Sequence, residues 1–237
     1  MRQMKRTLIA LLFSLAGLLN VYAQTGNVYR KFYMQTPEQV TPDTLLATVS
    51  INDGKLSRLD ITIPCLDKGV SIVGGLDLKR RPNACSELTD MLKTIKEKYH
   101  EWTLIAKNNN IKKYSKETGQ YKNTPALYLY ARKDYDSYSP VRQSIQNGSP
   151  YFEVDSNGKC SIYMAWINIP FERIVGFSKV NIMSKPITEI LFVKRIYFSF
   201  LSEAQIQSMI DALNIETAIE EVRKRQVSLK DIDALFK

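Results

Sequence analysis

Four residues, Asn52-Asp53-Gly54-Lys55, stand between two strand-like runs, Leu45–Ile51 and Leu56–Ile63, and constrain this chain more than any other local pattern. Asp-Gly is a strong tight-turn pair because glycine takes positive φ without strain. The pattern predicts a β-hairpin, ended by Pro64. A similar signal, Ser156-Asn157-Gly158-Lys159, separates Tyr151–Val154 from Cys160–Ile169, with Pro170 as the expected stop. Turn chemistry alone produces that likeness, so no internal repeat is inferred.

Between the hairpins lies an amphipathic helix, expected from Ser86 to about Lys107. Leu88, Met91, Leu92, Ile95, Tyr99, Trp102 and Ala106 recur at i, i+3, i+4 and form one buried stripe, with both tryptophans, Trp102 and Trp166, read as core anchors. Asn108-Asn109-Asn110 favours turns and should end the helix. Val28–Met34, Val70–Val73 and Ala126–Arg132 are shorter strand candidates. Thr36–Asp43 and the Lys-rich Ile111–Thr124 read as loops, and Gly74-Gly75 as a turn.

Ser139-Pro140 reads as the N-cap and first residue of a short helix stopping at Gly148. Ile174–Met183 and Ile187–Phe200 read as strands, and the second is apolar on both faces, which places it centrally in a sheet. Ser202 with Gln205 forms a capping box ahead of Ile206, Met209, Ile210 and Leu213. Asn214 caps a second helix carrying Ile219 and Val222, and Ser228 a last short turn ending at Phe236. Together these elements predict an α+β fold: an antiparallel sheet of hairpins with one long inserted helix and a helical C-terminus.

Residues 1–23 read as a secretory signal peptide. Arg2, Lys5 and Arg6 give a positive start, Leu8–Leu19 is apolar and uncharged, and Val21-Tyr22-Ala23 offers a cleavage site before Gln24. The apolar run is shorter than the roughly 20 residues of a membrane span, and no later uncharged stretch reaches that length. The expected product is one exported α+β domain, residues 24–237, in the periplasm or secreted, with no stable membrane span after cleavage. The net charge of +9 includes three basic residues in the leader, which has no acid, so the expected product carries +6. That balance suits anionic surfaces of a bacterial envelope. Nucleic acid is not an expected partner of an exported protein.

Cys65, Cys85 and Cys160 allow at most one internal disulfide, with Cys65–Cys85 the nearest pair in sequence. The alternative is three buried thiols packing as small apolar residues. No C-x-x-C spacing supports a redox or zinc motif, and one histidine, His100, does not make a catalytic zinc site. His100 falls on the polar side of the long helix with no nucleophile motif nearby, and reads as a surface histidine. Gly74-Gly75 matches neither a phosphate loop nor a dinucleotide fingerprint. No catalytic residue, metal ligand or cofactor is assigned.

Eight of the 13 tyrosines lie between residues 114 and 163, which marks that region for binding. Tyrosine combines a flat apolar face with a polar tip at low rotamer cost. Tyr128, Tyr130, Tyr151 and Tyr163 fall in strand runs and read as sheet residues. Tyr114, Tyr121, Tyr135 and Tyr138 fall in expected loops and are the candidate ligand-binding residues.

The first functional expectation is therefore a non-catalytic exported protein that binds an envelope or extracellular protein, or a glycan, through this region. A second is a small hydrolase using carboxylates among Asp134, Asp136, Glu153, Asp155 and Glu172. A third is a lipid- or anion-binding module using the basic cluster Lys79, Arg80 and Arg81.

Overall fold

The computed structural model describes residues 25–65, 67, 70–76, 78, 81–119, 127–133, 136–140, 150–180 and 183–235. The expected signal peptide lies outside them. The chain divides into two compact units, Met1–Arg30 with Thr48–Leu59 and Asn214–Lys237, and Lys31–Ala47 with Asp60–Leu213.

The smaller unit holds the start of β1 (Gly26–Met34), the facing ends of β2 (Asp43–Asn52) and β3 (Lys55–Ile63), and one helix. The β2–β3 turn forms where Asp53-Gly54 predicts it. Asp53 has φ +50° and Gly54 φ +70°, the two left-handed central residues of a type I′ turn. The helix is Ile215–Leu235, and Asn214 caps it as expected, its Oδ1 accepting from Thr217 N at 3.2 Å. The separate turn expected at Ser228 does not form: the helix runs through it, since no glycine or proline interrupts residues 215–235.

Arg30 joins strand to helix in this unit, donating to Glu221 Oε1 at 2.5 Å and to the Asn214 carbonyl at 3.0 Å. A Cβ at Gly26 would lie 3.4 Å from both γ-methyls of Val222, an ordinary packing distance, so this strand lies against that helix there.

In the larger unit all ten strands take part. Those not yet given are β4 (Val70–Leu76), β5 (Tyr114–Glu117), β6 (Leu127–Lys133), β7 (Asp136–Pro140), β8 (Tyr151–Val154), β9 (Cys160–Val180) and β10 (Met183–Phe200). The order is β1-β2-β3-β4-β6-β7-β9-β8-β5, with β10 paired to β9. The ladders from β3 onward are antiparallel.

Helix α1 (Ala84–Asn108) matches its predicted span within two residues and buries Leu88, Met91, Leu92, Ile95 and Tyr99. It packs on α2 (Glu203–Ala212), β8 and β9; the smaller unit's helix is α3. Phe152, Ile162, Phe198, Phe200, Ile206 and Met209 are buried in the same unit. The Tyr99 hydroxyl reaches the carbonyl of Leu201 at 2.5 Å and that of Cys160 at 3.3 Å. Ser202 caps α2, while Gln205 turns back to accept from Leu201 N at 2.7 Å. The mixed α+β class and the antiparallel sheet are as the sequence predicts. Among the described residues, no helix is long and apolar enough to cross a membrane.

Five local expectations change. Ser139 and Pro140 do not open a helix: they end β7 and pair with Glu172 and Phe171 of β9. The N-cap signal is overridden by a ladder, while the rest of the expected helix, 141–148, lies outside the described residues. Gly74-Gly75 is not a turn but lies inside β4, between Ile61-Asp60 of β3 and Leu129-Tyr128 of β6.

Pro170 does not stop β9. It lies inside the strand, opposite Phe192 of β10. β10 is not central: among the described residues its only ladder is with β9. The polar run Tyr114–Glu117 is a strand, not a loop; as the last strand in the order it is exposed along its length.

The three cysteines are free. The Cys65 thiol lies 3.2 Å from the Val70 carbonyl, whereas Cys85 is buried in α1 near the Leu213 carbonyl, so no Cys65–Cys85 bridge forms. Burial pushes the Cys85 thiol up to about 11.

Candidate functional site

The last turns of α1, the short strand β5 and strand β8 enclose an aromatic cleft of about 130 Å³. Trp102, Ile105 and Ala106 come from the helix, Tyr114 and Lys116 from β5, and Phe152 and Val154 from β8. Ile111, in the connection after the helix, closes one end.

The ladder explains the grouping. Tyr114 pairs with Val154 and Lys116 with Phe152, and Val154 and Phe152 are buried. Residues that pair across strands share a face, so Tyr114 and Lys116 are set on the helix side. Ser115 and Glu117, with Glu153 and Tyr151, take the other face.

Phe152 forms the floor. Its ring meets Trp102 edge-on at 5.6 Å and 83°, and Tyr99 at 6.3 Å and 67°. Such edge-to-face pairs add about 0.5–1.5 kcal/mol beyond burial and fix ring orientation. Above the Trp102 ring stand two ammonium groups, Lys116 at 4.9 Å and Lys98 at 5.8 Å from its centroid. Lys98 also donates to the Thr118 carbonyl. Lys107, Lys112 and Lys113, near the cleft residues in sequence, are also exposed.

Of the four candidate tyrosines, Tyr114 lines this cleft and is half exposed. Tyr121 and Tyr135 lie outside the described residues. The backbone of Tyr138 is in β7, paired with Ala131; its side chain is outside the described set. Tyr151 and Tyr163, expected as sheet residues, form a ring pair at 6.2 Å on the face opposite Tyr114. Of the basic cluster, Lys79 and Arg80 are outside the described residues, and Arg81 is ion-paired with Glu87 at 2.8 Å.

The sequence reading missed Trp102, Lys116, Ile105 and Ile111 as site residues. Trp102 continues the stripe of α1 but sits at the end of the helix, beside the short β5 and β8. The available signal was Ile105, an apolar residue off the stripe that is 45 % exposed.

Of the described carboxylates, Asp155 serves its turn, and Glu153 and Glu172 lie far apart along β9. Asp155 is occupied by its turn, its Oδ1 accepting from Asn157 N at 2.7 Å and Lys159 N at 2.8 Å, which holds its carboxyl below the ordinary range. Glu153 pairs with Ser161 of β9, and Glu172 is eleven residues further along that strand. At ~3.3 Å per residue the two are about 35 Å apart along β9, far beyond the roughly 5–10 Å of a glycosidase pair. Asp134 and the Asp136 side chain are outside the described residues.

His100 is exposed and paired with Glu203 Oε1 at 2.8 Å. Among the described residues no three His, Cys, Asp or Glu side chains group as a metal site. Comparison with protein-family models, with curated proteins and with solved structures finds no match to this chain.

Proposed function

We propose that this is an exported, non-catalytic binding protein that holds an extended segment of a partner protein at the α1–β5 cleft. The observation that carries the reading is the combination of an apolar recess with an exposed terminal strand beside it. Terminal strands present backbone N–H and C=O groups to an added strand, while side-chain pockets next to them supply specificity. The recess is close in size to the roughly 150 Å³ cavity that accepts a benzene ring. It therefore suits one aromatic or branched aliphatic side chain.

A protein segment fits better than a glycan. A sugar would stack on an open indole face, and the Trp102 ring is approached by Lys98 and Lys116 instead. The exposed Lys116 of the cleft lining favours acidic residues flanking the anchor. Export rests on the leader-like residues 1–23.

Trp102 emission tests this in a Trp166→Phe background, where Trp102 is the remaining tryptophan. A short peptide with a central Phe or Leu flanked by Asp and Glu should shift that emission saturably, less so at high salt. Ile105→Asp should weaken the response about tenfold or more, since it places a charge where the anchor binds. A Lys-flanked peptide should bind more weakly. A saturable response to oligosaccharides with none to peptides would replace this reading by the glycan one.

A further inference from the structure

The distal half of the β9–β10 hairpin leaves the sheet. β7 pairs with β9 at Glu172, and beyond that point, among the described residues, β9 and β10 pair only with each other, out to Val180 and Met183. Isolated two-stranded ribbons are marginal in water, and among the described residues no further strand pairs with this part of the hairpin.

This ribbon is apolar on both faces. Phe177, Ile174, Ile190 and Phe192 are 65 %, 59 %, 51 % and 64 % exposed. The register puts Phe177 across from Pro186, Ile174 from Thr188, Ile190 from Glu172 and Phe192 from Pro170, so these four share one face. Ile187 alternates to the other face, opposite Gly176, and is also half exposed. A one-residue bulge falls there: Gly176 pairs with Ile187 and Ile174 with Thr188, which leaves Val175 over, itself 50 % exposed.

Charge is distributed unevenly along the arm. Arg173 and Glu189 close it at the base as an ion pair of 2.7 Å. Across residues 174–188, beyond that pair, there is no acid and there are two lysines, Lys179 and Lys185. Large exposed apolar patches on one protein mark sites of association.

We propose that this arm docks on an anionic phospholipid bilayer, Ile174, Val175, Phe177 and Ile187 entering the interfacial zone, in a segment whose only charged residues between 174 and 188 are Lys179 and Lys185. The charge complementarity favours such a surface, because lysines near anionic lipid are attracted and an acid-free tip pays no opposing repulsion. The two apolar faces favour it over a second copy of the chain, because a bilayer surrounds both faces whereas strand-to-strand pairing along β10 covers an edge. The arm does not span: its outer backbone groups would be unsatisfied in hydrocarbon, so it is held at the interface.

Vesicle flotation of the full chain tests this, with wild type compared against variants so that any contribution of residues 1–23 is common to all. The probes are vesicles of phosphatidylcholine with 30 mol % phosphatidylglycerol, and of phosphatidylcholine alone (roughly matched in size). Wild type should float with the anionic vesicles. Phe177→Ser with Ile190→Ser should cut the bound fraction about tenfold, and Lys179→Ala with Lys185→Ala should cut it about tenfold at low salt. Phe177 and Ile190 are more than half exposed, and the lysine variant removes charge without removing an apolar residue, so loss of folding is separable by circular dichroism. Equal flotation of wild type and both variants would overturn the proposal. So would a wild-type dimer by light scattering that Phe177→Ser with Ile190→Ser dissolves, since that assigns the arm to a second copy.

Discussion

Phe152→Ala is expected to destabilise the protein by about 3–5 kcal/mol and to lower its Tm by roughly 6–20 °C. Phe152 is 2 % exposed and stands between the rings of Tyr99 and Trp102. Truncation removes the ring's transfer energy and leaves a cavity that two edge-on aromatics cannot collapse to fill. The same residue is the floor of the cleft. The variant should therefore lose peptide-induced change in Trp102 emission at temperatures where it is still folded. Leu104→Ala, at an exposed position next to Ile105 but outside the cleft lining, should change stability by about 0.5 kcal/mol or less. Urea melts of the two variants check this, and similar losses from both would mean that the helix end is not packed on β8.

Stability should fall steeply between about pH 9 and 12. Burial pushes the Tyr99 hydroxyl from 10.0 up to about 12, and the Cys85 thiol from 9.0 up to about 11. In both cases the charged form is the one disfavoured in the folded protein. Unfolded chains therefore release these protons first as pH rises, and the unfolded state gains. The contribution is fully present below pH about 9, is lost across 9–11 for Cys85 and across 10–12 for Tyr99, and amounts to about 2–3 kcal/mol for each group.

Tyr99→Phe should flatten the upper part of this limb. Below pH 9 it should cost about 1–2 kcal/mol, because the Leu201 and Cys160 carbonyls lose their donor. Cys85→Ala should flatten the lower part. Urea midpoints measured from pH 8 to 12 give the curve. A flat curve through pH 12 would place both groups in contact with water.

Features set by neighbours in sequence were legible. The Asp53-Gly54 turn, the α1 stripe and the Asn214 cap each depend on a few adjacent residues, and each forms as expected. Features set by distant pairing were not. Residues Tyr114–Glu117 carry no strand signal, because a terminal strand exposed along its length needs no apolar alternation. Ser139-Pro140 carries a helix-start signal that pairing with Glu172 and Phe171 outweighs.

β10 shows why composition misleads. An apolar strand on both faces is normally a buried one, and Tyr197, Phe198 and Phe200 are buried, but the same pattern continues through Ile187, Ile190 and Phe192, which are about half or more exposed. The site follows the same division. Tyr114 was visible as a binding residue, whereas Lys116 reaches Trp102 only because the β5–β8 register sets Lys116 opposite Phe152. Nothing local to residues 102 or 116 announces that meeting.

Photocrosslinking from position 114 would be the most direct test of partner capture. A benzoylphenylalanine placed at Tyr114 sits in the cleft, and one placed at Tyr151 sits on the opposite sheet face as a control. Irradiation in envelope extract should give a discrete protein adduct from position 114, removed by excess acidic Phe-containing peptide and absent from position 151. The same adduct from both positions, or none from 114, would contradict capture of a protein segment at the α1–β5 cleft.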